Sequence, residues 1–195
     1  WGGQGLGRVT EVVGENSGAW VMPLTEVFEG GWPWILLLPS GVVWAWRHRK
    51  TSTGRWELGL LVGSALMVLP LRTQLPWYSH LLWPPIALLC GEALAELLKE
   101  GRPHWIPKAW QWMGALLLVS TTVLVAMKAR AALPFPALFA AGLGLLIGGV
   151  MLSKPPQRQR QQGLAVLITG WSLGLLALWH SHLWLWELNE IWDPR

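Results

Sequence analysis

Six apolar runs separated by short charged segments most strongly limit the folds open to this chain. They lie at about residues 32–46, 56–71, 76–98, 110–127, 133–152 and 163–185. About 20 apolar residues suffice to cross a membrane as a helix, and only helices and closed barrels satisfy their backbone hydrogen bonds there. The sequence therefore predicts an all-α protein, a polytopic transmembrane bundle of about six spans.

The composition supports this interpretation. The chain is 52% hydrophobic and 13% charged, whereas a soluble domain carries about 25% charged residues. Many of the 17 tryptophans stand at the ends of apolar runs, where membrane-water interfaces favour them. The net charge is +4, but the cations are spread over short loops instead of forming one basic face, so the pattern argues against a nucleic-acid partner. The single cysteine, Cys90, excludes an intrachain disulfide.

The distribution of Lys and Arg predicts the orientation. Loops 47–57, 99–109 and 153–162 contain ten of these residues: Arg47, Arg49, Lys50, Arg55, Lys99, Arg102, Lys108, Lys154, Arg158 and Arg160. The alternate segments contain five: Arg8, Arg72, Lys128, Arg130 and Arg195. Because positive loops stay in the cytoplasm, both ends are expected outside a plasma (inner) membrane. We predict an extracytoplasmic or interfacial segment at 1–29, a transmembrane region at 30–186 and the start of an external tail at 187–195.

A polar hinge between the second and third runs is the main candidate site. Pro76 precedes the aromatic pair Trp77-Tyr78, and two further prolines follow Trp83. Helix breaks at membrane depth are tolerated where protein or a water-filled cavity satisfies the freed backbone groups. We therefore expect the rim of an aqueous cavity here. Its candidate residues, including those of the N-terminal segment, are Gln4, Arg8, Glu15, Asn16, Arg72, Gln74, Tyr78 and His80.

Each charged candidate has a simpler alternative. Arg72 would bind a lipid phosphate or anchor its helix by snorkelling to head groups. Arg8 would face the same phosphate or pair with a nearby surface carboxylate. Glu92 and Glu96 share a helix face near the inner end of the third run; Glu96 is interpreted as an interfacial ion-pair residue, and the role of Glu92 stays open. No catalytic triad or metal-ligand set is apparent, so no catalytic or metal residue is assigned.

Two further expectations concern the C-terminal half. Gly144 and Gly148 form a small-xxx-small pair that permits close helix packing, within the chain in preference to a dimer. The polar segment 155–162 is expected to be a solvated inside loop without a chemical role.

Several short motifs carry a family resemblance. They are Leu75-Pro76-Trp77-Tyr78 before a proline-containing Leu/Ala run, Trp32-Pro33-Trp34 opening a run, and Gln4-Gly5-Leu6-Gly7-Arg8. In these stretches the chain resembles membrane glycosyltransferases of the GT-C superfamily that use polyprenyl-phosphate sugars, namely protein O-mannosyltransferases and the aminoarabinose transferase acting on lipid A. Gln74 stands where the family motif commonly has lysine. Gly5 replaces a family histidine, which argues against a metal contact from this segment.

The resemblance implies a function. It implies a later portion of a multi-pass cell-envelope enzyme that transfers a hexosyl or pentosyl group from a polyprenyl-phosphate donor to a protein or lipid acceptor outside the membrane. Arg8, Arg72, Gln74 and Tyr78 would bind the donor phosphate. The catalytic carboxylate of the family precedes the residues present here, and a divalent metal is left open for the full-length enzyme. The alternatives are a transporter or channel domain and a non-catalytic membrane scaffold.

Overall fold

The computed structural model describes residues 21–71, 76–126 and 135–180. All regular structure in these three ranges is helical. The chain divides into two compact units, Trp1–Glu96 and Leu97–Arg195. The prediction of an all-α protein is confirmed for the described residues.

The described part of the first unit opens with two short helices that have proline in their first turns. Helices α1 (Met22–Gly30) and α2 (Leu38–Arg47) are separated by the 3₁₀ segment Trp34–Leu37. Helix α3 (Ser52–Val68) begins where the Thr51 hydroxyl accepts a hydrogen bond from the Gly54 N–H at 3.3 Å, a standard N-cap. The 3₁₀ segment Pro76–Leu81 precedes helix α4 (Trp83–Glu100), whose residues 97–100 belong to the second unit.

The second unit contains three long apolar helices. They are α5 (Trp105–Ala126), α6 (Phe135–Leu152) and α7 (Gln157–Trp179). Each has the length and composition to cross a membrane. Large apolar side chains such as Trp112, which is 77% exposed, and Leu116 lie on the outside of α5. Apolar surface of this kind belongs in lipid, not water, so the unit has the character of a membrane protein.

The bounds of these three helices can be compared with the predicted spans. Helices α5, α6 and α7 coincide with the expected runs 110–127, 133–152 and 163–185 to within about six residues at each end. Among the described residues, these are the three helices that are long and apolar enough to span a membrane. The count of six spans and the placement of both ends outside stay predictions.

The first predicted span, 32–46, is not one regular helix. It is a 3₁₀ segment followed by the ten-residue helix α2, with Pro39 in the first turn of α2. Proline lacks an N–H and clashes with the carbonyl four residues earlier, so an α-helix continuing from Ile35 through Pro39 is disfavoured. At 2.0 Å and 1.5 Å per residue the stretch is roughly 23 Å long, which is short of the ~30 Å hydrocarbon core.

Glycines hold α6 between its two neighbours. A Cβ added at Gly144 would lie 2.7 Å from the Gly170 Cα of α7, and one at Gly148 would lie 2.7 Å from the Leu167 Cβ of α7. On another face, a Cβ at Gly149 would lie 2.8 Å from the Pro107 carbonyl oxygen of α5. Such distances allow no side chain. The prediction that Gly144 and Gly148 serve packing within the chain is confirmed.

The segment 155–162 differs from its prediction. Residues from Gln157 onward form the first turns of α7, and Arg160 is buried, with 6% of its surface exposed. Its guanidinium donates to the carbonyl oxygens of Leu98 (2.8 Å), Lys99 (2.6 Å) and Lys154 (3.2 Å), and also to that of Pro155. The expectation of a wholly solvated loop was wrong because four carbonyl oxygens converge on this arginine.

Candidate functional site

The aromatic rim predicted from the hinge is a 3₁₀ segment. In Pro76–Leu81, Trp77 and His80 are exposed, Tyr78 is half-buried and Ser79 is buried. The Leu82 N–H donates to the Ser79 carbonyl at 2.9 Å, and α4 then begins at Trp83 with two prolines in its first turn. Proline is well accommodated there because the N–H groups of a first turn have no helical partner. The structure thus confirms the predicted break in the helix at this point.

An apolar groove lies beside the start of α4. Its volume is about 350 Å³, and it belongs wholly to the first unit. It is lined by the end of α1, the first 3₁₀ segment and one face of α4, through Gly30, Gly31, Trp34, Ile35, Leu37, Trp83, Ile86, Ala87, Cys90, Gly91 and Leu94. None of these lining residues carries a charge, so the groove suits a hydrocarbon ligand.

The spacing along α4 makes the groove elongated. Its lining residues on that helix, from Trp83 to Leu94, recur three or four positions apart and share one face. The distance along the helix from Trp83 to Leu94, at 1.5 Å rise per residue, is roughly 17 Å, about half of the ~30 Å hydrocarbon core. One end of the groove therefore lies two residues after the aromatic rim, and the other extends toward the far end of the helix.

Small residues keep the groove open. A Cβ at Gly91 would meet no atom within 4 Å, so this glycine borders empty space. At Gly30 an added Cβ would lie 3.2 Å from the Trp83 ring, which places that ring against the end of α1. The Cys90 thiol donates to the Trp34 carbonyl over 3.6 Å, which joins α4 to the 3₁₀ segment opposite.

Most of the predicted site residues cannot be compared with this geometry. Gln4, Arg8, Glu15, Asn16, Arg72 and Gln74 lie outside the described residues. Tyr78 and His80 are described and lie in the 3₁₀ segment before Trp83, but neither lines the groove. Their assignment to donor binding stays a prediction. In the described ranges, no three His, Cys, Asp or Glu side chains are grouped to hold a metal ion.

Sequence reasoning missed Glu57. This residue of α3 is buried, with 5% of its surface exposed, and its Oε2 has no hydrogen-bond partner. Glu92 of α4, whose role the sequence left open, is half-buried and close enough to act on Glu57 electrostatically. The available signal was the position of Glu57 as the first acidic residue after Glu29, next to an interfacial tryptophan.

Comparison with known proteins gives a partial match. The chain is 38% identical, over 71 residues, to an undecaprenyl phosphate-alpha-4-amino-4-deoxy-L-arabinose arabinosyl transferase of Pseudomonas fluorescens. The matched part is 36% of this chain and 13% of the length of that relative. No protein-family model matches the chain. No solved structure matches it significantly. The chain is thus similar, over about a third of its length, to a transferase whose name includes a polyprenyl-phosphate sugar.

Proposed function

We propose that the chain is part of a membrane glycosyltransferase and that its first unit holds the polyprenyl tail of a lipid-linked sugar donor. The observation that carries the proposal is the uncharged groove of about 350 Å³ along α4. A sugar would need several polar partners in its pocket, and the groove lining offers few. A hydrocarbon chain needs only apolar surface, which the lining of the groove supplies.

The phosphate end of the donor would lie at the rim. Trp83 stands at one end of the groove, and the hinge that contains Arg72, Gln74 and Tyr78 directly precedes it in sequence. A cation at this point would stabilise the negative charge that develops on the departing phosphate. Arg72 and Arg8 are assigned this role, and Gln4, Glu15, Asn16 and His80 are assigned to the surrounding polar cavity. A carboxylate elsewhere in the full-length enzyme would deprotonate the acceptor hydroxyl.

The partial relative supports this choice among functions. Its name specifies transfer of a sugar from undecaprenyl phosphate, a donor with one long apolar chain and one anionic end. In this chain the groove would contact the apolar chain of such a donor, and the hinge that contains Arg72 would contact its anionic end. The acceptor would be a protein or a lipid on the outer face of the inner membrane.

Cys90 provides a test because it lines the groove. In the full-length protein, the rate at which N-ethylmaleimide labels the Cys90 peptide is measured by mass spectrometry with and without undecaprenyl phosphate. A chain seated in the groove covers the thiol, so labelling should slow at least about tenfold. Inorganic phosphate should give no protection. Unchanged labelling at saturating undecaprenyl phosphate would show that the groove does not hold the polyprenyl tail.

Matched variants test the binding of the donor's apolar tail and the binding of its phosphate separately. A Cβ at Gly91 or at Gly63 meets no atom within 4 Å, but only Gly91 borders the groove. Gly91→Phe should therefore abolish protection, whereas Gly63→Phe should retain it. Arg8→Ala and Arg72→Ala should remove the preference for undecaprenyl phosphate over undecaprenol. If both arginine variants keep that preference and full transfer activity, neither binds the phosphate.

A further inference from the structure

A compact cationic surface joins α2 to α3 in the first unit. The turn contains Arg47, His48, Arg49, Lys50 and Arg55, all exposed. No acidic residue occurs between Gly30 and Trp56, and Glu57, which follows, is buried, so no exposed carboxylate of this stretch neutralises the positive charge. We call residues 46–56 the basic turn. It lies on the side that the Lys/Arg distribution predicts to be cytoplasmic, away from the rim.

The backbone of the basic turn is held in one conformation. The Thr51 hydroxyl and N–H both donate to the His48 carbonyl, at 2.7 and 2.8 Å. A Cβ at Gly54 would lie 2.5 Å from the same oxygen, so α3 starts in close contact with the end of α2. Because the turn is already ordered, a ligand that binds its cations loses little entropy to ordering the backbone.

The cations differ in their protein partners. The Arg49 guanidinium lies over the Trp46 ring, 5.0 Å from its centroid, and donates to the Trp46 carbonyl at 2.8 Å. Arg55 donates to the Thr51 carbonyl at 3.3 Å. Within the described part of the chain, the charged groups of Arg47 and Lys50 have no hydrogen-bond or ion-pair partner. These two side chains are available to an external anion.

Two exposed tryptophans indicate where that anion resides. Trp46 and Trp56 bracket the turn and are 62% and 71% exposed. Tryptophan favours the head-group layer of a membrane, where its ring contacts acyl chains and its N–H reaches polar groups. The N-terminus of α3 adds the positive end of a helix dipole to the same surface. An anion held here would therefore lie in the head-group layer of the membrane.

We propose that the basic turn binds the phosphodiester head group of an anionic phospholipid, with Arg47 and Lys50 on the phosphate and Trp46 and Trp56 in the interface. Four Lys or Arg side chains, Arg47, Arg49, Lys50 and Arg55, lie together in this turn, and each cation near a membrane surface adds to the attraction of anionic lipids. This site is independent of the groove along α4, and its occupant is a bulk membrane lipid.

The second unit supplies a matched control. Its segment 153–160 also carries cations predicted to be cytoplasmic, but Arg160 is occupied by carbonyl oxygens and no tryptophan lies in the segment. The double variants R47Q/K50Q and K154Q/R158Q each remove two exposed positive charges. They alter the net charge equally and differ in the surface that they affect.

The experiment measures lipid preference by spin-label electron paramagnetic resonance. The full chain is placed in bilayers of phosphatidylcholine and probed with spin-labelled phosphatidylglycerol and phosphatidylcholine. R47Q/K50Q should lower the preference for phosphatidylglycerol at least about fivefold, since each cation at the membrane surface contributes appreciably to the attraction of anionic lipids. K154Q/R158Q should lower it less than about twofold. R47K, which keeps the charge, should retain the preference.

Other outcomes would overturn the proposal. Equal losses in the two double variants would assign the preference to net charge alone. Loss of the preference on adding glycerol phosphate, but not on adding sodium chloride to the same ionic strength, would assign the turn to a soluble phosphate. Circular dichroism of R47Q/K50Q should match that of the parent, and a preference lost only through unfolding would also count against the site.

Discussion

Among the described residues, each unit buries one charged side chain, and the two side chains differ in their hydrogen-bond partners. In the second unit, Arg160 donates to carbonyl oxygens from both the end of α4 and the segment before α7. In the first unit, the Oε2 of Glu57 has no hydrogen-bond partner, and the nearby charge of Glu92 has the same sign. A buried charge is tolerated when it is fully hydrogen-bonded and is costly otherwise.

This difference distinguishes an arginine that stabilises the fold from a buried carboxylate whose Oε2 has no hydrogen-bond partner. Arg160 satisfies carbonyl groups that the end of a helix leaves without partners, so its burial stabilises the connection into α7. Glu57 offers no such gain. Unsatisfied buried polar groups in native proteins call for an explanation. Glu57 lies in the unit that also contains the groove.

The largest expected effect follows from removing the arginine. Arg160→Gln should lower the free energy of unfolding in mixed micelles by about 3 kcal/mol, because several charge-assisted hydrogen bonds are lost and their carbonyls stay buried. Arg158→Gln, an exposed position two residues earlier on α7, is the matched control and should be nearly neutral. Equal losses for both variants would mean that Arg160 acts only through its charge.

A smaller loss is expected at the contact between α6 and α7. Gly170→Ala would place a Cβ 2.5 Å from the Gly144 Cα, and the helices would have to separate. The free energy of unfolding should fall by about 2 kcal/mol. Gly63→Ala, where the added Cβ meets nothing within 4 Å, should instead stabilise α3 slightly through its higher helix propensity. Stabilisation of both variants would show that α6 and α7 are not closely packed.

The smallest effect, and one of opposite sign, concerns the carboxylate. Glu57→Gln removes the negative charge at this buried position and with it the repulsion from Glu92. The free energy of unfolding at neutral pH should rise by about 1 kcal/mol. Glu29→Gln, at an exposed position of α1, serves as the control and should change little. A clear destabilisation by Glu57→Gln would mean that this carboxylate has a cationic or donor partner in the folded protein.

Sequence reasoning predicted some features of the fold and the candidate site and missed others. The break in the helix before α4 was predicted because Pro76, Pro84 and Pro85 act on the backbone directly. The small-residue face of α6 was predicted because glycine spacing on a helix is a local property. The groove was not predicted, since its lining comes from residues 30–37 and 83–94 together. Likewise, nothing within residues 155–162 indicates that Arg160 meets the end of α4.

The sequence by itself determined that this protein is helical and apolar, with long runs ending in tryptophan, because hydropathy and proline or glycine position depend on neighbouring residues alone. The tertiary structure decided which face of each helix is covered, and with it the groove along α4, the carbonyl partners of Arg160 and the burial of Glu57. The physical reason is that burial and hydrogen-bond satisfaction depend on contacts between segments distant in the chain, and no local pattern encodes those contacts.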